Sequence, residues 1–249
     1  MIRTVEILEI AKSEGKVLVD DLAQRFGVTT QTIRRDLADL AETGKLERVH
    51  GGAVMPSGVV NLDYVQRQEL NAAGKARIGR ACAAHVPENA SIFVNIGTTN
   101  EAVSRELLSH KNLLIVTNSL NSANILSANP DCDIIVAGGN LRRSDGGLLG
   151  NLTTQVVDLF KFDLAIISCA GIDEEGDLLE FDLQEVHATK AILRQAKSTF
   201  VVADQTKIGR TAPGRIGNLA SVTKVFTDAP LPLPINDLCS ESDTEMIVC

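Results

Sequence analysis

The chain has 249 residues, 44% hydrophobic and 22% charged, enough apolar material for one large or two modest cores, which excludes a disordered polymer. Trp is absent and aromatics make up 3%, so the core must come mostly from Val, Ile, Leu and Ala. A net charge of −8, from 24 Lys+Arg against 32 Asp+Glu, removes overall basicity as a reason to expect nucleic acid. No apolar run approaches a membrane span, and Glu6, Glu9 and Lys12 interrupt the N-terminus, so neither a membrane segment nor a signal peptide is expected. The five cysteines (82, 132, 169, 239, 249) show no CxxC spacing and read as reduced thiols of a cytoplasmic protein. The four histidines (50, 85, 110, 187) form no ligand-spaced pair, so no metal and no cofactor are expected.

In chain order, Thr4, Ile7, Leu8 and Ala11 share one helical stripe that Gly15 ends. Val17 to Val19 is a short β-type run, and Asp20 is the expected N-cap of DLAQRF. Gly27 makes a tight turn into a second helix, which Thr29 or Thr30 caps. On that helix Ile33, Leu37 and Leu40 face one way while Gln31, Arg34 and Arg35 cluster on another side. Asp39 is spaced to pair with Arg35. Gly44 ends the helix. Leu46 to Val49 is then expected to pair with Ala53-Val54 around a His50-Gly51-Gly52 tip.

Helix, strand, helix, turn, helix and hairpin in this order predict a winged helix-turn-helix over residues 1–55, with operator DNA as its partner. The first 54 residues carry 8 Lys+Arg (3, 12, 16, 25, 34, 35, 45, 48) against 9 Asp+Glu (6, 9, 14, 20, 21, 36, 39, 42, 47). The motif therefore relies on local charge at Arg34, Arg35, Lys45 and Arg48. The DNA-contact candidates are Thr30, Gln31, Thr32, Arg34, Arg35, Arg48, His50, Gly51 and Gly52.

Residues 56–71, opening with Pro56, Ser57 and Gly58, read as a linker, and a helix over 72–86 opens a second domain running to 249. Apolar runs at 92–96, 113–117, 133–137, 164–168 and 199–203 alternate with helical stretches at 101–108, 120–128, 154–160 and 184–197. That pattern predicts an α/β domain around a mostly parallel sheet. Ligands of such sheets sit at the carboxyl ends of the strands. There Gly97-Thr98-Thr99 opens a helix, Thr117 leads into Asn118, Ala137 into Gly138-Gly139, and Ala203 into Asp204, Thr206 and Lys207. Backbone amides at a helix start, hydroxyls and a lysine suit a small anion, a phosphate ester above all. Taken singly, Gly138-Gly139 reads equally as a turn, Asn118 as a helix cap, Lys207 as a solvated lysine, and Glu185 and Lys190 as ordinary polar positions.

Beyond this physical reading, VTTQTIRRDLADLAETGKLERVHGGAV resembles the DNA-binding domain of the DeoR family of bacterial transcriptional regulators. NIGTTNEAV, IVTNSLNSANIL, GIDEEGDLLEFDLQEV, VVADQTKIGR and VFTDAP are similar to that family's sensor half. RRSDGGLLG and LLEFD point to its branch of glycerol-3-phosphate repressors. The resemblance implies a sensor domain similar in fold to ribose-5-phosphate isomerase and the coenzyme A transferases. It also implies a sugar-phosphate pocket at Asn95, Gly97, Thr98, Thr99, Thr117, Asn118, Gly138, Gly139, Glu185, Lys190, Asp204 and Lys207. Two positions depart from the family pattern: Asn95 stands where Asp is common, and Thr189-Lys190 where Lys-Arg is common.

The expectation is a repressor, not an enzyme and with no catalytic residue, released from its operator by glycerol 3-phosphate. A two-fold operator further predicts a homodimer or homotetramer. The alternatives are a repressor sensing another sugar phosphate, or an isomerase-like enzyme using Glu185, Asp204 and Lys207 fused to the DNA-binding domain.

Overall fold

The computed structural model describes residues 2–14, 16–43, 45–54 and 62–249; the expected helix stops at Gly15 and Gly44 and the first part of the linker lie outside them. The chain forms two compact units, one reaching Ala72 and the other spanning Ala73–Cys249.

The first unit contains α1 (Ile2–Glu14), β1 (Lys16–Leu18), α2 (Val19–Phe26), α3 (Thr30–Glu42), β2 (Glu47–Val49), β3 (Gly52–Val54) and α4 (Tyr64–Glu69). The α1 stripe buries Ile7 and Ala11, and α3 buries Ile33, Leu37 and Leu40, in one core with Val17, Leu22 and Leu46. The strands form an antiparallel sheet in the order β1-β3-β2. Gly52 is needed because β1 lies on it: a Cβ there would sit 2.0 Å from the Val17 carbonyl oxygen. Asp20 does not cap α2. The helix starts two residues earlier, with Leu18 at the N-cap position, because the Val19 N–H donates to Gly51 O at 2.9 Å. A tertiary hydrogen bond from the hairpin has replaced a side-chain cap. The linker expectation also needs correction at 64–69. Asp63 and Gln66 close a reciprocal capping box that starts α4, with Asp63 Oδ1 accepting from Gln66 N at 2.9 Å.

The second unit is built on seven parallel strands in the order β15-β14-β12-β9-β4-β5-β6. They are β4 (Ser91–Val94), β5 (Leu113–Thr117), β6 (Cys132–Val136), β9 (Phe162–Ile167), β12 (Ala196–Val202), β14 (Lys224–Thr227) and β15 (Glu245–Val248). Helices α5 (Ala72–Ala83), α6 (Thr98–Glu106), α7 (Leu120–Leu126), α8 (Asn151–Val157), α9 (Leu183–Gln195) and α10 (Leu233–Glu241) accompany them. Both faces of the inner strands are buried. Ile92, Val94, Ile166, Phe200 and Val202 join one cluster, while Phe93, Ala165, Ile167 and Val201 join the other. That is why the strands read as unbroken apolar runs.

A hairpin, β7 (Asn140–Arg142) with β8 (Gly147–Leu149), and an antiparallel sheet of β10 (Gly171–Ile172), β11 (Asp177–Glu180) and β13 (Gly214–Asn218) complete the unit. Neither was expected, because two- to five-residue strands carry too few positions to show a period. The last two sheet strands and α10 were likewise missed. No helix among the described residues is long and apolar enough to cross a membrane.

Candidate functional site

The first candidate surface is α3 with the β2–β3 hairpin. Thr29 rather than Thr30 is the cap, its hydroxyl accepting from the Thr32 N–H at 3.3 Å. Gln31, Arg34 and Arg35 are exposed, and Thr30 and Thr32 half-buried. The expected Arg35–Asp39 pair does not form, and neither Arg34 nor Arg35 has an ion-pair partner among the described residues. Asp36 is instead held by Arg3, whose Nε and Nη2 reach its carboxylate at 2.6 and 3.1 Å. That bridge ties α1 to α3 and offsets the one acid beside the arginine pair. Arg48 donates from Nη1 to the Arg34 carbonyl at 3.0 Å, so it braces the hairpin against α3. His50 and Gly51 are exposed at the hairpin tip, whereas Gly52 is buried and its role is the packing against β1 described above.

The second candidate site lies at the carboxyl edge of the parallel sheet, where β4, β5, β6, β9 and β12 all end. Gly97 has φ +143 and heads α6, which no side chain caps; a Cβ there would sit against Ser168 Oγ. The first turn of α6 thus opens at this edge, with Thr98 half-buried and Thr99 buried beside it. Asn100 reaches Ile96 O and Ser168 Oγ through Nδ2, but its buried Oδ1 has no partner. The buried Thr206 hydroxyl is unpartnered too.

Several expected ligand residues are occupied by the scaffold. Thr117 Oγ1 donates to Val94 O at 2.7 Å and accepts from Ser119 N. Asn118 is fully buried, accepting from Ile96 N at 2.9 Å and donating to Leu148 O, and Ser119 rather than Asn118 caps α7. Gly138 O accepts from Thr153, and a Cβ on Gly139 would meet Thr153 and Leu149, so this pair serves as a packed turn. Lys190 is exposed, while its neighbour Thr189 turns inward. The two departures from the family pattern meet there: Asn95 Nδ2 donates to Thr189 Oγ1 at 3.1 Å, both residues buried. A neutral hydrogen bond therefore joins the two positions at which the chain departs from the pattern the resemblance implies.

The 204–207 turn is set by carboxylates. Asp204 Oδ1 accepts from Thr206 N at 3.0 Å, and Asp228 Oδ1 from Gln205 N at 2.8 Å. Lys207 is half-buried, near enough to Cys169, as are Glu180, Asp204 and Arg210, to act on its ionisation; burial dominates and pushes that thiol up to about 12. Arg210 is buried, with its guanidinium 5.4 Å from the Phe181 ring centre.

Sequence reasoning missed the strongest cluster. Arg142 grips Asp145 with Nε and Nη2 at 2.9 and 2.8 Å, and reaches Asp182 at 3.0 Å and Glu185 at 2.7 Å. The R-x-x-D spacing and the acids at the N-cap and first turn of α9 were visible signals. A separate cavity of about 430 Å³, lined by residues including Asn112, Leu114 and Asp133, lies at the opposite end of β5 and β6 and shares none of this chemistry.

Burial, then the charge of Glu180, push the Glu185 carboxyl up to about 8, with Arg142 pulling the other way and Asp145 adding to the rise. The folded chain thus holds this proton through a range in which the unfolded chain has lost it. Glu185 therefore costs no stability at low pH and progressively more as pH rises from the ordinary carboxylate range through about 8. Glu185→Gln is expected to remove that loss, so its melting-temperature advantage over wild type should grow between about pH 5 and about pH 9. A gap that stays constant across that range would show that Glu185 ionises as an ordinary carboxylate.

The model of the DeoR-like helix-turn-helix domain matches residues 3–59, and that of the DeoR C-terminal sensor domain residues 70–229. The chain is 41% identical to the glycerol-3-phosphate regulon repressor of Escherichia coli K12, over 98% of this chain and 96% of that protein. It is 39% identical to the Haemophilus influenzae protein of the same name, over 100% and 96%. The E. coli transcriptional repressor CsqR is 38% identical, over 98% and 93%. Among solved structures, ribose 5-phosphate isomerase A of Methanocaldococcus jannaschii is 14% identical at a TM-score of 0.42, covering 55% of each chain. The relatives named here are repressors rather than enzymes, and with both family models matched in order the chain belongs to the DeoR family of helix-turn-helix transcriptional regulators.

Proposed function

We infer that this protein is a cytoplasmic transcriptional repressor whose hold on operator DNA is relieved by a phosphorylated small molecule, glycerol 3-phosphate. The observation that carries the effector class is the uncapped N-terminus of α6, opening at the carboxyl edge of a parallel sheet. Backbone amides directed out of a helix start and the positive end of the helix dipole favour an anion there. Gly97, Thr98, Thr99 and Lys207 are the residues proposed to meet the phosphate, with Asp204, Glu185 and Asn95 shaping the rest of the site. Thr117, Asn118, Gly138 and Gly139 hold its walls. The choice of glycerol 3-phosphate follows the names of the relatives from E. coli and H. influenzae.

Operator recognition is assigned to Gln31, Arg34, Arg35 and the tip residues His50 and Gly51. Because one winged helix reads a half-site, the working form is a homodimer or homotetramer, for which sedimentation of a monomer that retains full operator affinity would be contrary evidence. The deciding experiment titrates glycerol 3-phosphate, glycerol and ribose 5-phosphate against preformed operator complex. Release is expected with glycerol 3-phosphate at concentrations where glycerol does nothing. Release by glycerol at equal concentration would remove the phosphate site, and release by ribose 5-phosphate alone would replace the effector.

A further inference from the structure

One cation at the proposed effector site is fastened to more negative charge than it can neutralise. Arg142 lies in the β7–β8 hairpin, where Asp145 holds Nε and Nη2 in a two-pronged grip. Asp182 and Glu185 come from a different element, the start of α9, and take Nη1 and Nη2. These two contacts are the ion pairs that fasten hairpin to helix. The hairpin stands over the strand ends: Leu148 N donates to Asn118 O, and a Cβ on Gly147 would lie 2.2 Å from Ile96 Cδ1 and 3.6 Å from Arg142 Nη2. Ile96 directly precedes the Gly97 turn into α6, so the guanidinium is placed beside the same edge as the uncapped helix start. It is 26% exposed and open to exchange, whereas Asp145 is 2% exposed.

We propose that Arg142 is a binding residue of the effector site held in reserve: the effector's phosphate takes the places of Asp182 and Glu185 on its guanidinium, unfastening the β7–β8 hairpin from α9. The inference rests on the phosphate-ester reading given above. Three features make the exchange feasible. Asp145 keeps its grip, so the fork stays oriented for a tetrahedral oxyanion. Asp182 has a second task, its Oδ1 accepting from Gln184 N at 2.8 Å, so the start of α9 stays capped after Oδ2 lets go. Glu185, buried beside Glu180 and Asp145, is held in its protonated form, so letting go of Arg142 leaves no unpaired anion behind. The unpartnered oxygens of Asn100 and Thr206 at the same edge leave polar atoms for the rest of the ligand.

The exchange predicts opposite effects from the two ends of the latch, which a mere structural brace does not. Binding of glycerol 3-phosphate to the full chain is measured by calorimetry in wild type, Arg142→Gln and Asp182→Asn, with melting temperatures recorded alongside. Arg142→Gln is expected to weaken binding about tenfold or more, through loss of a charge-assisted contact. Asp182→Asn keeps the helix cap but removes a competitor, and is expected to tighten binding by about threefold or more. If Asp182→Asn weakens binding, or leaves it unchanged, the exchange is refuted. That variant decides the matter even if Arg142→Gln fails to fold. Wild-type affinity in a folded Arg142→Gln protein also refutes it. If wild type binds neither glycerol 3-phosphate nor inorganic phosphate, the phosphate-ester reading falls and this inference with it. Normal wild-type binding with unaltered variants overturns the role of Arg142 alone.

Discussion

Leu37→Ala is expected to cut operator binding steeply while leaving glycerol 3-phosphate binding at its wild-type strength. Leu37 is fully buried in the core that α1, α2, α3 and β1 share, and it is not one of the candidate DNA contacts. Truncating a buried leucine costs about 2–5 kcal/mol, from lost transfer free energy and the cavity left behind. Whole domains are stable by only about 5–15 kcal/mol, and small ones fall at the low end. The DNA-binding unit should therefore be substantially unfolded near its working temperature. The sensor unit has two hydrophobic clusters of its own and loses nothing. Calorimetry of effector binding and operator titration on one sample would separate the two effects. An unchanged operator affinity would mean that Leu37 is not the keystone its burial indicates.

Arg34→Ala and Arg35→Ala should each weaken specific operator binding by about 1–3 kcal/mol without lowering the melting temperature. Both side chains are exposed on α3, and no ion pair among the described residues would be broken. Arg48 makes a poorer test because its guanidinium also bonds the Arg34 carbonyl, so its removal would mix affinity with bracing. Operator titrations at fixed salt with each single variant are the measurement. Two variants that both bind like wild type would displace α3 as the reading helix.

The elements read correctly from the chain share one property: their signals repeat over several residues or turns. The Ile33/Leu37/Leu40 stripe, Gly27 between two helices and five unbroken apolar runs specified a winged helix and a parallel sheet. The sensor strand ends also fall together at one edge of the sheet, since parallel strands must all finish on the same side. The errors occurred where local signals met a tertiary competitor. Asp20 is a good cap in isolation, yet α2 starts earlier because a hairpin carbonyl, Gly51 O, is waiting for the Val19 N–H. Gly52, a DNA-contact candidate from its place at the hairpin tip, is a glycine because β1 packs against it.

Residue chemistry alone could not separate ligand groups from wall groups at the site. Asn118, Thr117 and Thr98 are all small polar residues after strands, but hydrogen bonds across 20 to 30 residues commit the first two to the scaffold. The same distance in sequence hid Arg142, whose partners at 145, 182 and 185 come together only when the hairpin folds against α9. The sequence by itself determined the winged-helix elements, five of the seven parallel strands with the helices between them, the order of the two units, and the family. The tertiary structure decided which polar groups are already satisfied, because a buried donor or acceptor must find its partner wherever the fold places one.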